Sequence, residues 1–151
     1  MSRRLARVLP AVACMWLGGC AVPQALCFRP DAVRTVDLRA TSDANGDRPV
    51  AVDLVFAGDE PAAAALAGLS AREYFARREQ LLADHPQAIR VSSWELVPGQ
   101  HVAGAATAAS CGVAATYLFA DYASPGAHRL RLTQSGAVAV VLGIDGADVA
   151  L

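Results

Sequence analysis

The chain has 151 residues, with 13 basic and 14 acidic side chains, and every basic residue is an arginine. A hydrophobic fraction of 54% with only 18% charged residues excludes an intrinsically disordered chain, because there is ample apolar surface to bury. The apolar runs are too short for a polytopic membrane protein, and the balanced charge without a basic patch argues against nucleic-acid binding.

The first twenty residues have the layout of an export signal. Three arginines lie within the first seven residues, and an apolar stretch follows at 8–17, as in a secretory signal peptide. The sequence LGGC at 17–20 resembles the lipobox of bacterial lipoproteins. This resemblance implies that residues 1–19 are removed and that Cys20 carries lipid. Ala21 stands where the sorting pattern uses aspartate for inner-membrane retention, so the resemblance implies the periplasmic face of the outer membrane.

Removal of this signal changes the charge of the mature chain. It takes away three of the 13 arginines, which leaves ten basic residues against 14 acidic ones and a net charge of −4. A mildly acidic protein gains little from electrostatic adhesion to anionic lipid. Residues 20–32, which contain two prolines, are expected to form a tether between the lipid and a domain at 33–151.

The cysteine pattern fits an oxidising compartment and not a metal site. Cys14 leaves with the signal and Cys20 is the lipid attachment, so Cys27 and Cys111 remain. These two either form a disulfide or stay as separate thiols, because a sequence does not show whether their Cα atoms lie within bridging distance. No CxxC pair and no HxxxH spacing is present, so we expect no metal ligands.

Two strands are predicted at the start of the domain. Apolar and polar residues alternate at 35–40 and again at 50–56, which is typical of half-buried strands. The segment 41–48 between them is polar and contains Asn45-Gly46, a favoured turn dipeptide because both residues tolerate positive φ. We therefore expect an antiparallel pair joined by an exposed polar loop.

A helical insertion is predicted at about 60–85. The segment 58–68 contains a run of alanines and indicates a short helix. Ser70 followed by Glu73 is a capping box, which begins an amphipathic helix from 71 to about 84. Pro86 ends that helix, because proline disfavours helical geometry in the residue before it. We expect its apolar face to pack on the sheet.

The remainder of the chain is predicted to be β-structure. Alternation over 89–97 changes parity at Ser92-Ser93, which indicates a β-bulge there. A continuous apolar strand at 137–144 is suited to the centre of a sandwich. Short strands at regular spacing with one helical insertion predict a mainly-β chain folded as a β-sandwich. The other predicted strands are 101–111, 113–122 and 129–132.

Catalytic and cofactor motifs are missing from the sequence. No GxSxG elbow, HExxH motif, phosphate loop or dinucleotide fingerprint is present. The three histidines have no acidic or cysteine neighbours at metal-ligand spacing. Ser110-Cys111-Gly112 has the look of a nucleophile turn but no identifiable base. We therefore expect no enzyme, no catalytic residue and no cofactor.

The order of these features resembles the TssJ family, the outer-membrane lipoproteins of the type VI secretion membrane complex. Asn45 matches an asparagine in the family's polar loop, residues 49–56 match its second strand, Tyr74-Phe75 match an aromatic helical segment, and the turn at 96–99 matches an L-x-PG motif. Two departures stand out. The arginine and tyrosine of the family's second strand are Asp53 and Phe56 or Val55 here, and residues 126–151 continue beyond the usual pattern.

The resemblance implies a transthyretin-like β-sandwich with a short helical insertion, acting as a scaffold and anchor of a secretion membrane complex. It also implies that the loop between the first two strands docks on the periplasmic part of the inner-membrane partner TssM. A free-standing lipoprotein binding module for an envelope ligand or protein is the alternative. The implied docking residues are Ser42, Asp43, Ala44, Asn45, Gly46 and Asp47.

Overall fold

The computed structural model describes residues 33–105 and 113–150. The predicted signal peptide, the tether and all four cysteines lie outside these residues. Lipidation of Cys20 and pairing of Cys27 with Cys111 therefore remain predictions. Within the described residues no helix is both long and apolar enough to cross a membrane.

Two four-stranded sheets form a β-sandwich with a helical insertion, which confirms the predicted fold class. The β1 sheet has the strand order β4-β1-β7-β8, and the β2 sheet has the order β3-β2-β5-β6. The elements are β1 (Val33–Ala40), β2 (Val50–Ala57), α1 (Glu60–Ala67), α2 (Ala71–Asp84), β3 (Ile89–Leu96), β4 (His101–Ala105), β5 (Ala115–Asp121), β6 (Arg129–Leu132), β7 (Gly136–Leu142) and β8 (Ala147–Ala150).

The first two strands do not pair with each other. β1 pairs antiparallel with β4 and parallel with β7, whereas β2 pairs antiparallel with β3 and β5. The segment 41–49 therefore crosses from one sheet to the other. Alternation reports only which side of a strand is buried, and it carries no information about the partner strand. Both predicted strands are confirmed, but the predicted antiparallel pair is wrong.

The main core lies between the two sheets. Its side chains come from alternate positions of each strand, because successive residues of a strand point to opposite faces. Burying an aliphatic side chain of this size contributes about 1.5–3 kcal/mol. Members that are completely buried include Val36, Leu38, Val50, Val52, Leu54, Leu96, Leu118, Val140 and Leu142.

A second core fills the space between the β2 sheet and the helices. Tyr74 of α2 stacks on Phe119 of β5, with ring centroids 4.2 Å apart and 9° between the planes. Leu66 of α1 is completely buried in the same cluster. The predicted packing of the helix on the sheet is confirmed. The β2 sheet is thus covered on both faces.

The predicted capping box at the start of α2 is present. The Ser70 hydroxyl accepts the Glu73 backbone N–H at 3.3 Å, and the Glu73 carboxylate accepts the Ser70 N–H at 2.8 Å. The Ser70 N–H and the Ser70 hydroxyl, which donates to the same carboxylate at 2.7 Å, lower the pKa of the Glu73 carboxyl group. The box satisfies backbone donors that the first helical turn leaves without partners, and so sets where α2 begins.

The β-bulge predicted at Ser92-Ser93 is absent. β3 pairs with β2 in unbroken register over its whole length. Ile89 contributes to the core under the helices, whereas Leu96 contributes to the core between the sheets. The change of parity arises because each half of β3 buries a different face. Because the sheet is covered on both faces, the apolar residues of β3 change parity although the strand contains no bulge.

The apolar strand predicted at 137–144 ends earlier and is covered on one side only. β7 stops at Leu142 and lies inside the β1 sheet, between β1 and β8. Val138 and Val140 are buried, but Ala137 and Ala139 are exposed on the outer face of that sheet. The sequence of β7 is continuously apolar because its solvent-exposed face carries small apolar residues. The short strand β8 was not predicted from the sequence.

Candidate functional site

Four connections meet at one end of the sandwich, which we call the loop end: residues 41–49, 97–100, 122–128 and 143–146. Hydrogen bonds join them directly. The Thr41 N–H donates to the Leu142 carbonyl at 2.9 Å, and the Gly99 N–H donates to the Thr41 carbonyl at 2.9 Å. β1 begins at the opposite end, at Val33, where the predicted tether would enter.

Asn45 holds three of these connections together. Its Nδ2 donates to the Pro49 carbonyl at 2.8 Å, and its Oδ1 accepts the Ala123 N–H at 2.8 Å. Its backbone N–H donates to the Gly143 carbonyl at 3.1 Å. The residue is only 7% exposed and has a φ of 51°, a left-handed conformation that asparagine tolerates. Asn45 is therefore a structural anchor of the loop end.

The six residues predicted to dock a partner divide into two groups. Ser42, Asp43, Gly46 and Asp47 are exposed, whereas Ala44 and Asn45 are buried. The prediction of an exposed loop is thus wrong for these two. The segment folds across the end of the sandwich, so two of its residues face inward, and a polar composition alone does not reveal this. The available contact residues are the four exposed ones.

The exposed part of this segment has a defined backbone. Asn45, Gly46 and Asp47 have positive φ in succession, at 51°, 61° and 61°. The Thr41 hydroxyl donates to the Asp43 carboxylate at 2.6 Å. Gly, Asn and Asp adopt the left-handed conformation at the lowest energetic cost, which explains why the sequence at 45–47 is Asn-Gly-Asp. The loop therefore presents its polar groups in one conformation.

A groove runs beside this loop, between the start of α2 and the connection after β5. It consists of a cavity of about 520 Å³ next to Asn45 and a second of about 220 Å³ along the start of the helix. Arg72, Asp121 and Tyr122 line both parts, so the two are adjacent. Phe75 adds an apolar wall to the larger part.

Tyr122 closes the floor of this groove. Its hydroxyl donates to the Gly146 carbonyl at 2.7 Å, and its ring stacks on His128 with centroids 4.8 Å apart. Burial raises the pKa of the Tyr122 hydroxyl, so it stays a neutral donor at physiological pH. The residue therefore binds the β7–β8 turn to the end of β5.

A buried polar network joins α2 to the β2 sheet, and it was not predicted. Asp53 of β2 is 3% exposed, and its Oδ2 accepts the Tyr74 hydroxyl at 2.7 Å and the Arg78 Nε at 2.6 Å. Arg78 also donates from Nη2 to the Ser93 hydroxyl at 3.0 Å. The sequence feature that could have predicted this network is the single carboxylate within the apolar strand β2. A charged group in such a position is rarely buried without a partner.

The protonation states in this network favour a structural role. Burial, followed by the hydrogen bond to Asp53, raises the pKa of Tyr74, so its hydroxyl remains a donor. The hydrogen bond to Asp53 raises the pKa of the Arg78 guanidinium. Neither group exchanges a proton near neutral pH. Asp53 and Arg78 form an ion pair, and Tyr74 donates a hydrogen bond to the same carboxylate. These contacts hold α2 on the β2 sheet.

Two of the three histidines hold structural positions, and His101 is exposed at the start of β4. His85 caps the end of α2, where its backbone N–H donates to the Leu81 carbonyl. His128 is hydrogen bonded through Nε2 to the Ser124 carbonyl at 2.9 Å. In residues 33–105 and 113–150 no group of three His, Cys, Asp or Glu side chains is placed to hold a metal ion. Ser110-Cys111-Gly112, which has no identifiable base in the sequence and is not predicted to be catalytic, lies outside these residues.

Comparison with known proteins gives matches at the level of structure. No family model matches the chain, and no curated protein matches it. The type VI secretion lipoprotein TssJ1 from Pseudomonas aeruginosa superposes with a TM-score of 0.61 and 17% identity, over 81% of this chain and 96% of that one. The chain has the TssJ fold. The resemblance identified in the sequence is thus confirmed for the fold.

Two further solved structures contain chains with the TssJ fold. A chain of a type VI membrane complex matches with a TM-score of 0.60 and 17% identity, over 80% of this chain and 100% of that one. A chain in the structure of the C-terminal domain of the type VI secretion protein TssM from EAEC matches with a TM-score of 0.57 and 14% identity, over 78% of this chain and 97% of that one. The TssJ fold therefore spans nearly the whole of each match.

Proposed function

We propose that this protein is an outer-membrane lipoprotein that anchors and scaffolds the membrane complex of a type VI secretion system, without catalytic activity. The observation that carries the proposal is the TssJ fold, with a match that covers 81% of this chain. The loop end is rich in exposed polar groups held in defined positions, as a recognition surface requires. Its role is to bind a protein and not to transform a substrate.

The anchor consists of the lipid on Cys20 and the tether at 20–32. A single acyl chain holds a protein only marginally, with about 0.8 kcal/mol for each buried CH₂, so the three chains of a mature lipoprotein anchor it durably. At roughly 3.4 Å per residue, the extended tether places the domain up to about 45 Å from the lipid. The domain therefore reaches into the periplasm while its attachment stays in the outer membrane.

The partner in this proposal is the periplasmic part of a TssM-like inner-membrane protein. The contact groups are the exposed members of the predicted loop, Ser42, Asp43, Gly46 and Asp47. Asn45 and Ala44 support them from below. Because hydrogen bonds of Asn45 hold the loop against the rest of the domain, we expect binding to cost little additional conformational entropy.

Cys20→Ala tests the anchor. The variant should lose labelling with radioactive palmitate and disappear from the outer-membrane fraction, because the acceptor sulfur is gone. Cys27→Ala is the matched control and should keep both properties. Unchanged fractionation of Cys20→Ala would contradict the lipid anchor.

The combined variant Ser42→Ala, Asp43→Ala and Asp47→Asn tests the loop. It keeps the buried Ala44 and Asn45 and the left-handed Gly46, so the fold should be retained. We expect about tenfold weaker capture of the periplasmic fragment of the TssM-like protein encoded in the same genome, which corresponds to about 1.4 kcal/mol. Glu79→Ala, at an exposed position on α2, is the control. Undiminished capture by the triple variant, with an unchanged melting temperature, would reject the loop as the contact.

The alternative function is a free-standing binding module that would hold its ligand in the groove beside Arg72. Gene neighbourhood distinguishes this alternative from the scaffold. Genes for a type VI sheath and a TssM-like protein next to this one favour the scaffold. Their absence favours the module, whose ligand would be a molecule or protein of the envelope.

A further inference from the structure

The outer face of the β1 sheet is open within the described residues. The β2 sheet has a core on each of its faces, whereas the β1 sheet contributes to the core between the sheets alone. The outward residues of the β1 sheet alternate with its core residues along each strand. They include Asp37 and Arg39 of β1, Ala139 and Val141 of β7, and Asp148 and Ala150 of β8.

Four outward side chains lie next to one another in a row across this sheet. Arg39 is the cross-strand neighbour of His101 on β4 and of Val141 on β7. Val141 is in turn the neighbour of Asp148 on β8. At about 4.8 Å between strands, the row is about 14 Å long. The donors Arg39 and His101 thus lie at the β4 side of the row, and the carboxylate of Asp148 lies at the β8 side.

The polar side chains of this row have no partners inside the domain. Among residues 33–105 and 113–150, Arg39, His101 and Asp148 make no hydrogen bond and no ion pair. Arg39 and Asp148 belong to strands about 10 Å apart, and water screens their attraction over that distance. Two donors directly opposite each other also do not stabilise a strand pair. The row is therefore free to pair with a second surface.

Small side chains lie in the next row. Ala139 and Ala150 are cross-strand neighbours, and both are exposed. A hollow of about 210 Å³ lies against them and Arg39. Because alanine projects little from the backbone, a second flat surface can approach this face to about 10 Å, the usual separation of two packed sheets.

A twofold axis parallel to the strands makes the row complementary to itself. An axis between β1 and β7 places β8 of a second copy over β4, and β7 of the second copy over β1. Asp148 of each copy then faces His101 of the other copy, and Arg39 is one strand away. A row with donors at one side and a carboxylate at the other is therefore matched by the same row of a second copy, as an isologous contact requires.

This axis also agrees with attachment of both copies to one membrane. β1 runs from Val33, where the predicted tether would enter, to Ala40 at the loop end. An axis parallel to the strands gives both copies the same direction, so both tethers leave toward the same membrane. An axis across the strands would reverse one copy and point its tether away. Lipid anchoring therefore selects the axis for which the charges match.

The size of the face predicts a weak contact. Four strands of about six residues give a face of about 19 by 20 Å, which is about 400 Å² for each copy. A stable interface in solution buries about 800 Å² for each partner. Attachment of both copies to one membrane raises their effective concentration and favours a contact of this size. We therefore expect the pair on the membrane and not in dilute solution.

We propose that the outer face of the β1 sheet is the contact between two copies of this lipoprotein, which pack sheet on sheet about a twofold axis parallel to the strands. Asp148 of each copy pairs with His101 and Arg39 of the other. This inference goes beyond the proposed function and rests on it for the direction of the tether. The loop ends of both copies stay uncovered and point the same way.

Photocross-linking in isolated outer membranes tests this contact. The full-length lipoprotein carries p-benzoylphenylalanine in place of Val141, which faces Arg39 of the second copy. Irradiation should give a product of twice the mass of the protein, and mass spectrometry should place the link in β1. The same amino acid in place of Ala83, which is exposed on α2, is the control and should give no such product.

Two variants of the cross-linking protein test the packing and the charges. Asp148→Arg should lower the yield of the dimer about fivefold, because it places a cation against the donors of the second copy. Adding Arg39→Asp to the same chain should restore most of that yield, whereas Glu79→Arg, the same charge change on α2, should have no effect. Ala139→Tyr should abolish the dimer by holding the sheets apart. All four positions are exposed, so the melting temperature should not change.

Three outcomes would overturn the inference: no product from the protein labelled at Val141, a product with the mass of a different protein, or an undiminished yield in Asp148→Arg and Ala139→Tyr. Each leaves the proposed function standing, because capture of the TssM-like fragment and fractionation of Cys20→Ala decide that function separately. Failure of those two experiments with a persistent dimer would reject the scaffold and keep the contact between copies.

Discussion

Replacing Asp53 by alanine is expected to lower the free energy of unfolding by about 3 kcal/mol, because it leaves the buried Tyr74 hydroxyl without an acceptor and removes the anion that Arg78 faces. Asp53 is 3% exposed, so water does not replace the lost oxygen. The Arg78 side chain is 34% exposed, so water can hydrate part of its charge in the variant. The expected loss of stability therefore lies toward the lower end of the range for a broken buried ion pair. Urea denaturation measures this change.

Two matched variants separate the contributions to this network. Asp53→Asn keeps an oxygen for the Tyr74 hydroxyl and should cost about 1–2 kcal/mol. Tyr74→Phe keeps the ion pair and the stacking on Phe119, and should cost about 1 kcal/mol. A loss below about 0.5 kcal/mol for Asp53→Ala, which is the range of an ordinary surface substitution, would show that the network does not hold α2 on the sheet.

Asn45→Asp should destabilise the protein by about 2 kcal/mol at neutral pH, although the two side chains have the same shape. The carboxylate still accepts the Ala123 N–H, but its second oxygen would face the Pro49 carbonyl, where Nδ2 now donates at 2.8 Å. Two acceptors in contact, one of them charged and buried, repel each other. Thermal unfolding of the variant against the wild type measures the difference.

The pH dependence of this variant gives a second readout. A buried carboxylate that faces a carbonyl has its pKa raised in the folded state, so protonation restores a donor to Pro49. The difference from the wild type should therefore shrink as the pH falls through that pKa and grow as the pH rises above it. Asp47→Gly is the control, since Asp47 is exposed with a φ of 61° that glycine adopts freely. A pH-independent difference would contradict the assigned contact.

The predictions for Asp53 and Asn45 concern two buried polar residues that stabilise different parts of the domain. Asp53 fixes α2 on the outer face of the β2 sheet, and Asn45 fixes the connections at the loop end. Destabilisation at Asp53 is expected to act on the fold, whereas changes at the exposed Asp43 or Asp47 are expected to act on partner binding alone. Comparing stability with capture across these positions therefore separates structural support from contact.

Most element types could be read from local pattern. The alternation at 35–40 and 50–56 corresponds to β1 and β2, and the Ser70–Glu73 capping box marks the start of α2 at Ala71. Such patterns depend on geometry within a few residues, a period of two in strands and of 3.6 in helices. The predicted export signal at 1–20 also rests on a local pattern and stays a prediction. These features need no knowledge of what packs against them.

The arrangement of the same elements was decided by contacts between residues far apart in the chain. β1 takes β4 and β7 as neighbours and not β2, and the apparent irregularity in β3 comes from two separate cores. Burial of Asn45 depends on Ala123, which lies 78 positions away. Hydrophobic burial is not directional, so a periodic pattern says that a face is covered without saying by what.

The sequence by itself determined that this is a chain of mainly β-structure with a capped helical insertion, because both properties are set by neighbouring residues, and it predicts an export signal at 1–19. Only the tertiary structure decided that four connections form one surface and that Asn45 supports it from inside. The proximity of these connections results from strand pairing across the whole chain, and no local pattern encodes it.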